Sequence, residues 1–216
     1  MPERAILVVD VRSYWHAGTG RGSGSHLDAV VARDREGFPF LPGRTLKGLL
    51  REAVARAEAW GWLEDAGGAS GQPDLTRRLF GPEPGDGGGT EEGVSGGWCG
   101  LLRVGDARLP RTVRAAILAA EGEDGEGLRE GLFRTHFATA INPERGTPQE
   151  GTLRGMEVAV PLRLEAPVSV HPSARHVELR GRWHAILERA LPLVRAVGAD
   201  RSRGLGRAVL SLGRVE

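Results

Sequence analysis

The apolar residues between positions 45 and 57 constrain the fold most, because their spacing fits a helix. Starting from Leu46 they recur at i, i+3, i+4, i+7, i+8 and i+11, which is typical of an amphipathic α-helix with one face on a core. Pro42 and Gly43 predict a turn before this helix, and Thr45 is predicted as its N-cap. The apolar stripe consists of Leu46, Leu49, Leu50, Ala53, Val54 and Ala57.

Short aliphatic runs, or alternation of apolar and polar residues, predict four strands. In the third strand Val158, Val160, Leu162 and Leu164 share one face. Pro161 points outward from that alternation, which favours an edge strand or a bulged strand over a central one. The four predicted strands span residues 4 to 11, 100 to 109, 157 to 165 and 206 to 212.

A second apolar stripe predicts a helix over residues 181 to 197, which Pro192 should kink or shorten. The elements then follow the order strand, helix, strand, strand, helix, strand. This order predicts an α+β fold of the ferredoxin-like (RRM-like) βαββαβ type, an antiparallel sheet backed by two helices. We expect one domain over residues 1 to 216, with insertions at about 64 to 98 and 110 to 155.

The two insertions differ in composition. Glycine makes up 33 of the 216 residues, about twice the usual ~7% share, and much of the excess lies in "GPEPGDGGGTEEGVSGGWCG". That part of the first insertion is predicted to be mobile. The second insertion begins with a short helix at 110 to 120, followed by "EGEDGEG", which is typical of a solvated loop.

The charge balance limits the kinds of partner. Against 28 acidic residues stand 29 basic ones, so any nucleic acid or anionic membrane must meet a local cationic patch. Lys47 is the only lysine; a coding bias explains the arginine excess, yet the planar guanidinium also suits phosphate. Cys99 is the single cysteine, which excludes an internal disulfide and a multi-cysteine zinc site. No stretch has the length of a membrane span, so we expect a cytoplasmic protein with no membrane partner.

The stretch "SYWHAGTGRGSGSHLDAVVARD", residues 13 to 34, takes a strand into a glycine-rich turn that carries two histidines and two aspartates. Glycines allow a ligand to approach the backbone closely, so this turn suits a nucleic-acid backbone. His16 and Asp28 are residue types that serve as general acid and base. A flexible surface loop without a ligand fits the same pattern equally well.

Two further stretches combine cations with turn residues. In "PGRTLKG" a helix N-terminus adds its free N–H groups to Arg44 and Lys47, which together suit a phosphate. In "DRSRGLGRAVLSL" Arg201 and Arg203 precede the last strand and are placed to meet the same phosphate backbone. Solvated arginines and lysines on ordinary surface turns are the alternative at both positions.

Together these stretches resemble the RAMP superfamily of CRISPR-associated proteins, and within it the repeated backbone subunit of type III effector complexes. "WHAGTG" resembles the family's His-x-Gly-x-Gly segment, and "LDAVVARDREGFPFLPGRTLKGLLR" is similar to its aspartate loop and Pro-Gly-Ser-Ser-Leu-Lys-Gly motif. "RSRGLGRAVL" resembles the C-terminal glycine loop, and "RTHFATAINPERGTPQEGTLRGMEVAVPL" the thumb. The family's Ser-Ser is Arg44-Thr45 here, the loop between Asp34 and Pro42 is a residue short, and Asn142 replaces an acidic residue. The glycine-rich segments resemble a type III-D-like branch.

The resemblance implies that subunits stack head to tail along a CRISPR RNA, with each thumb interrupting the duplex between guide and target RNA. It implies that Asp28 binds a divalent metal, Mg or Mn, and cleaves the target RNA, with His16 near the cleavage site. It also implies contacts with large and small subunits of the effector complex. The RNA-binding residues that it predicts are Arg44, Thr45, Lys47, Arg51, Arg134, His136, Arg145, Arg154, Arg201, Arg203, Gly204 and Gly206.

Two other functions stay open at this point. One is a structural RNA-binding subunit of the same complex, in which Asp28 only shapes its loop. The other is a stand-alone endoribonuclease that processes CRISPR RNA, with His16 as the general base.

Overall fold

The fold is taken from a computed structural model, which describes residues 3–18, 29–64, 75–82, 99–120, 126–149, 151–174 and 176–213. Asp28, nearly all of the glycine-rich stretch and most of the acidic run lie outside these residues. The strands are β1 (Arg4–Val11), β2 (Leu102–Val104), β3 (Phe133–Ala138), β4 (Arg154–Ala159), β5 (Arg163–Val170) and β6 (Ala208–Gly213). The helices are α1 (Gly43–Ala59), α2 (Leu75–Phe80), α3 (Arg111–Ala120), α4 (Glu126–Glu130) and α5 (Trp183–Ala190).

The main sheet has the strand order β2-β5-β1-β6, and every neighbouring pair in it is antiparallel. Alternate residues of β1 are buried, which places Leu7, Val9 and Val11 on the core side. The helices α1 and α5 pack against each other and bury the predicted apolar stripes. The prediction of an α+β fold with an antiparallel sheet and helices is therefore confirmed.

The helix α1 begins three residues earlier than an N-cap at Thr45 would place it. Gly43 is its first residue, and the Gly43 N–H donates a 2.9 Å hydrogen bond to Oδ1 of Asp106, which lies beyond β2. Thr45 is an exposed residue of the first turn, so its prediction as N-cap was wrong. The acceptor comes from a residue distant in sequence, which no local pattern could reveal.

The predicted third strand, residues 157 to 165, was also wrong, because the chain changes sheets within it. β4 pairs with β3 in a separate hairpin, whereas β5 joins the main sheet between β2 and β1. The exposed Pro161 lies at the bend between them. The carbonyl of Val160 accepts the indole N–H of Trp15 at 2.9 Å, and that of Leu162 accepts the Val11 N–H at 2.9 Å, so both sides of the bend are tied to the same segment.

The remaining elements follow the predictions with shorter bounds. The strand predicted over residues 100 to 109 is reduced to β2, which is followed by isolated bridges at Ala107 and Arg108. The second predicted helix, α5, ends at Ala190, and one 3-10 turn that contains Pro192 follows it. The predicted shortening of this helix is therefore confirmed. Both insertions contain regular structure, since α2 lies in the first and α3, α4 and the β3–β4 hairpin lie in the second.

Two glycines of α1 make a matched test of this packing. A Cβ at Gly43 would lie 2.5 Å from the Val104 carbonyl oxygen, whereas a Cβ at Gly48 would meet nothing within 4 Å. We expect Gly43→Ala to lower the free energy of unfolding by about 1–3 kcal/mol because of this overlap. Gly48→Ala should raise it by up to about 1 kcal/mol through helix propensity. Urea unfolding of both variants measures the difference, and a Gly43→Ala protein as stable as the parent would contradict the described packing.

Candidate functional site

A cavity of about 310 Å³ opens at the N-terminus of α1. Lys47 is half-buried on its wall, and the neighbouring Arg44 and Thr45 are exposed. The other lining residues come from α1, from β2 and its preceding segment, and from the residue that follows β5. The cavity is lined by Gly43, Arg44, Lys47, Cys99, Gly100, Leu102, Arg103, Val104 and His171.

The electrostatics of this cavity favour an anion. Burial lowers the pKa of the Lys47 ammonium, and the charge of Arg51 one turn away lowers it further, while Cys99 opposes the shift. A depressed lysine pKa means that the charged form is disfavoured where it stands. A phosphate in the cavity would offset both effects, since it supplies the opposite charge beside the Lys47 ammonium. Arg103 and His171, which the sequence analysis missed, add polar groups to the same wall.

His16 lies in the segment that leaves β1, and its side chain is buried at 4% exposure. Its Nδ1 lies 2.7 Å from the Glu157 carbonyl oxygen, so Nδ1 carries the proton and donates. The His16 carbonyl accepts the Ala199 N–H at 2.8 Å. His16 is therefore packed inside the protein, between Glu157 of the hairpin and Ala199 of the loop before β6.

The predicted catalytic Asp28 lies outside the described residues, and the described chain resumes at Ala29. The Ala29 carbonyl accepts the Glu157 N–H at 2.9 Å, and Ala29 forms an isolated parallel bridge with Met156.

The glycine loop, residues 200 to 206 before β6, contains exposed residues and one buried glycine. Arg201, Arg203 and Gly204 are exposed, and the Arg201 guanidinium lies 3.8 Å from the Glu52 carboxylate on α1. Gly206 is buried with a φ of 69°, and its N–H donates to the Tyr14 carbonyl at 2.7 Å. A Cβ at Gly206 would overlap the Val197 carbonyl oxygen. Gly206 therefore serves packing, and the exposed arginines are the groups of this loop that a ligand can reach.

The strand β3 is exposed beyond Phe133, whereas β4 is buried at Gly155 and over residues 157–159. The predicted RNA-binding residues Arg134, His136, Arg145 and Arg154 are all exposed on the β3–β4 hairpin or in its connection. Exposed apolar side chains accompany them, and the sequence analysis did not single these out. They are Phe137, Ile141 and Leu153, with exposed fractions of 60%, 55% and 69%.

Two kinds of feature are missing from the described part of the chain. None of its helices combines the length and the apolar character needed to cross a membrane. Among the same residues no three His, Cys, Asp or Glu side chains cluster in a way that would hold a metal ion.

The antiparallel sheet, the β3–β4 hairpin and the two packed helices define an α+β protein with a cationic end of α1. The family model of the RAMP superfamily matches residues 8–209, and the chain therefore belongs to the RAMP superfamily. No curated protein matches the chain.

Solved structures share the fold over nearly the whole chain. A chain from the cryo-EM structure of a type III-B Cmr-β complex bound to cognate target RNA matches with a TM-score of 0.65 and 12% identity. The match covers 97% of this chain and 96% of that one. A chain of the same complex in its apo state gives a TM-score of 0.61 at 12% identity, with 97% and 96% coverage. The type III-D-like affinity stays a prediction.

Lys47 offers a direct test of the cavity. We expect Lys47→Ala to weaken binding of a single-stranded RNA oligonucleotide about tenfold and to reduce the salt slope by about one, as loss of one phosphate contact does. Lys47→Arg should also bind more weakly than the parent, because a planar guanidinium replaces a compact ammonium beside Arg51. Fluorescence anisotropy over a series of salt concentrations measures both effects.

The matched control is Arg189→Ala, an exposed cation on α5 whose guanidinium donates to the Trp62 carbonyl at 3.2 Å. Its affinity for RNA should stay within about twofold of the parent. An equal loss in Lys47→Ala and Arg189→Ala would show that the cavity has no special role.

Proposed function

We propose that this protein is a CRISPR RNA-binding backbone subunit of a type III effector complex. The observation that carries the proposal is the cationic cavity at the α1 N-terminus, in a chain that belongs to the RAMP superfamily and shares its fold with Cmr-β chains. Its partners would be the CRISPR RNA, the target RNA, neighbouring copies or related subunits head to tail, and the large and small subunits, in the cytoplasm.

We further assign the core to the ferredoxin-like βαββαβ type. The sheet order β2-β5-β1-β6 supports this assignment, as does the placement of α1 between β1 and β2 in the chain and of α5 between β5 and β6. The β3–β4 hairpin is then the thumb, inserted between β2 and β5. In this layout the chain forms one domain with two insertions.

In the proposed complex the guide backbone lies at the N-terminus of α1. Lys47 and Arg44 supply positive charge, to which the N-terminal end of the helix dipole adds. Arg201 and Arg203 supply a second cationic surface on the glycine loop, which contacts α1 at Glu52. None of these groups reads a base, which suits a subunit whose sequence specificity comes from pairing between guide and target.

Cleavage of the target RNA would depend on the carboxylate of Asp28. This carboxylate would accept the proton of a 2′-hydroxyl as the hydroxyl oxygen attacks the neighbouring phosphorus, while the bond to the 5′-oxygen breaks and a cyclic phosphate forms. The hairpin assists by holding the target nucleotide out of helical stacking, since an in-line arrangement is inaccessible inside a regular helix. The exposed Phe137, Ile141 and Leu153 supply apolar surface for that contact.

A divalent metal, Mg or Mn, would bind at Asp28 and stabilise negative charge on the phosphate. Mg²⁺ typically uses one or two carboxylates and completes its coordination with water and phosphate oxygens. The Glu157 carboxylate beside Ala29 already accepts hydrogen bonds from Arg33 and Val31, so Asp28 is the protein ligand in this proposal. The burial of His16 supports a role in positioning the loop, and it weighs against the stand-alone nuclease with His16 as a solvent-accessible base.

The test is cleavage of complementary RNA by the reconstituted complex with Asp28→Ala in every copy. We expect the rate at saturating target to fall at least about 100-fold, as for loss of a general base, with guide and target affinities unchanged. Asp10→Asn is the matched control, because Asp10 is a half-exposed aspartate paired with Arg12 on the main sheet, and it should cleave at the parental rate.

Two results would count against parts of this function. Unchanged cleavage in Asp28→Ala would remove Asp28 from the reaction. A parent complex that binds target RNA and leaves it whole in the presence of Mg²⁺ or Mn²⁺ would identify a structural subunit of the same complex.

A further inference from the structure

A second cationic cavity, of about 270 Å³, lies between α1 and the glycine loop. Three arginines contribute to its lining: Arg56 belongs to α1, Arg195 to the segment that follows α5, and Arg201 to the glycine loop. All three residues are exposed. Among the described residues that line the cavity, Glu52 has the only carboxylate. The lining therefore has an excess of positive charge.

The charges of this second cavity are only partly neutralised within the protein. The Arg201 guanidinium lies 3.8 Å from the Glu52 carboxylate, and both side chains are about half exposed, so the pair is weak. Arg56 and Arg195 form no ion pair with a carboxylate in the part of the chain that the structure describes. An anion that enters the cavity would therefore meet guanidinium groups that have no strong partner to give up.

An exposed tryptophan adjoins this cavity toward the C-terminal end of α1. Trp60 is 53% exposed, and the guanidinium carbon of Arg56 lies 5.1 Å from the centroid of its ring. The backbone of Trp60 is held, since its N–H donates to the Arg56 carbonyl at 3.1 Å, and the Trp62 ring lies beside it with a centroid distance of 5.4 Å. Arg56 thus lines the cavity and also contacts an exposed aromatic ring.

A cluster of guanidinium groups beside an exposed aromatic ring has the chemistry that binds a nucleotide. Guanidinium forks match the geometry of phosphate oxygens, and the bases of single-stranded RNA stack on aromatic side chains with little regard to sequence. The cavity is small for a ligand site, so it suits one phosphate with its ribose. Arginine and tryptophan are also common at protein interfaces, but a protein interface does not require a cavity lined by unneutralised guanidinium groups.

We propose that this surface is a nucleotide subsite for single-stranded RNA. The three arginines hold a phosphate there, and the base stacks on the Trp60 ring. This inference deepens the proposed function, on which it rests, because it adds a second RNA contact to the one at the N-terminus of α1. Lys47 and Arg56 lie about 14 Å apart along the axis of α1, given the rise per residue of a helix, so the two contacts hold different nucleotides of the strand.

Two variants separate the parts of the subsite. Arg195→Ala removes a phosphate contact, and Trp60→Ala removes the stacking surface. Arg163→Ala is the matched control, because Arg163 is an exposed arginine that pairs in register with Asp10, on the sheet face away from the core. Fluorescence anisotropy over a series of salt concentrations measures the affinity of each protein for a single-stranded RNA and for an abasic strand of the same length and charge.

We expect Trp60→Ala to weaken RNA binding by about 5- to 150-fold, as loss of one stacked base does, and to leave the affinity for the abasic strand unchanged. Trp60→Phe should recover part of the affinity, because phenylalanine keeps an aromatic face. Arg195→Ala should weaken binding of both strands about tenfold and reduce the salt slope by about one, since a phosphate contact does not involve the base. Arg163→Ala should bind both strands within about twofold of the parent.

Three results would overturn the subsite while the proposed function stands. In the first, the parent binds RNA, and Trp60→Ala and Arg195→Ala bind it equally well. In the second, Trp60→Ala loses the same affinity for the RNA and for the abasic strand, so no base stacks on the ring. In the third, Trp60→Ala keeps its RNA affinity but no longer assembles with other subunits, which would identify the surface as a protein interface.

Adenosine 5′-monophosphate probes the subsite apart from the proposed function. A base stacked on Trp60 should quench a tryptophan signal that the parent has and Trp60→Phe lacks, and Arg195→Ala should weaken this quenching. If the parent binds no RNA, quenching of that signal would support the subsite and defeat the proposed function, whereas an unchanged signal would defeat both.

Discussion

The arrangement of the candidate sites depends on how the backbone of residues 13 to 18 is held after it leaves β1. On one side Trp15 and Ala159 exchange backbone hydrogen bonds of 3.1 and 2.8 Å. On another side the carbonyls of Tyr14 and His16 accept the N–H groups of Gly206 and Ala199, and the close approach to His16 requires glycine at position 198, where a Cβ would overlap the His16 carbonyl oxygen. The hairpin, the glycine loop and the flanks of residues 19 to 28 therefore share one backbone anchor.

The arginine-rich composition serves two purposes, and only one concerns a ligand. Asp34 is buried, accepts the N–H groups of Glu36 and Phe38 at 3.0 Å, and pairs with Arg108 and Arg114 at 3.1 and 2.6 Å. These cations are neutralised within the fold. Exposed cations remain at the α1 N-terminus, in the glycine loop and on the hairpin, so a chain with a formal charge of +1 can present local cationic surfaces.

Local periodicity was enough to predict the helices α1 and α5 and the strand β1, because burial of one face leaves a direct trace in the sequence. The antiparallel character of the sheet was predicted from the order of the elements. The same reasoning failed between residues 157 and 165. There the alternation continues through Pro161 although the chain passes from the hairpin into the main sheet, and periodicity carries no information about which sheet a strand joins. The N-cap of α1 failed for a related reason, since Asp106 reaches Gly43 from a remote segment.

Some residues of the candidate site lie together in the sequence, and others come together only in the folded structure. Arg44 and Lys47 were predictable because a Pro-Gly turn and a helix start place them together in sequence. Arg103, His171 and Glu157 were not, because they reach their sites only through strand pairing. Glu157 in particular looks like any other residue of an alternating strand in the sequence, because its hydrogen-bond partners Val31 and Arg33 lie more than a hundred positions away.

The central claim is that guide RNA lies at the α1 N-terminus and target RNA at the base of the hairpin. Cross-linking of the assembled complex, with 4-thiouridine placed either in the guide or in the target, followed by mass spectrometry of the attached peptides, tests this most directly. The account predicts guide cross-links to residues 43 to 51 and target cross-links to residues 29 to 33 and 154 to 159. Guide cross-links confined to the hairpin, with target cross-links on α1, would contradict it.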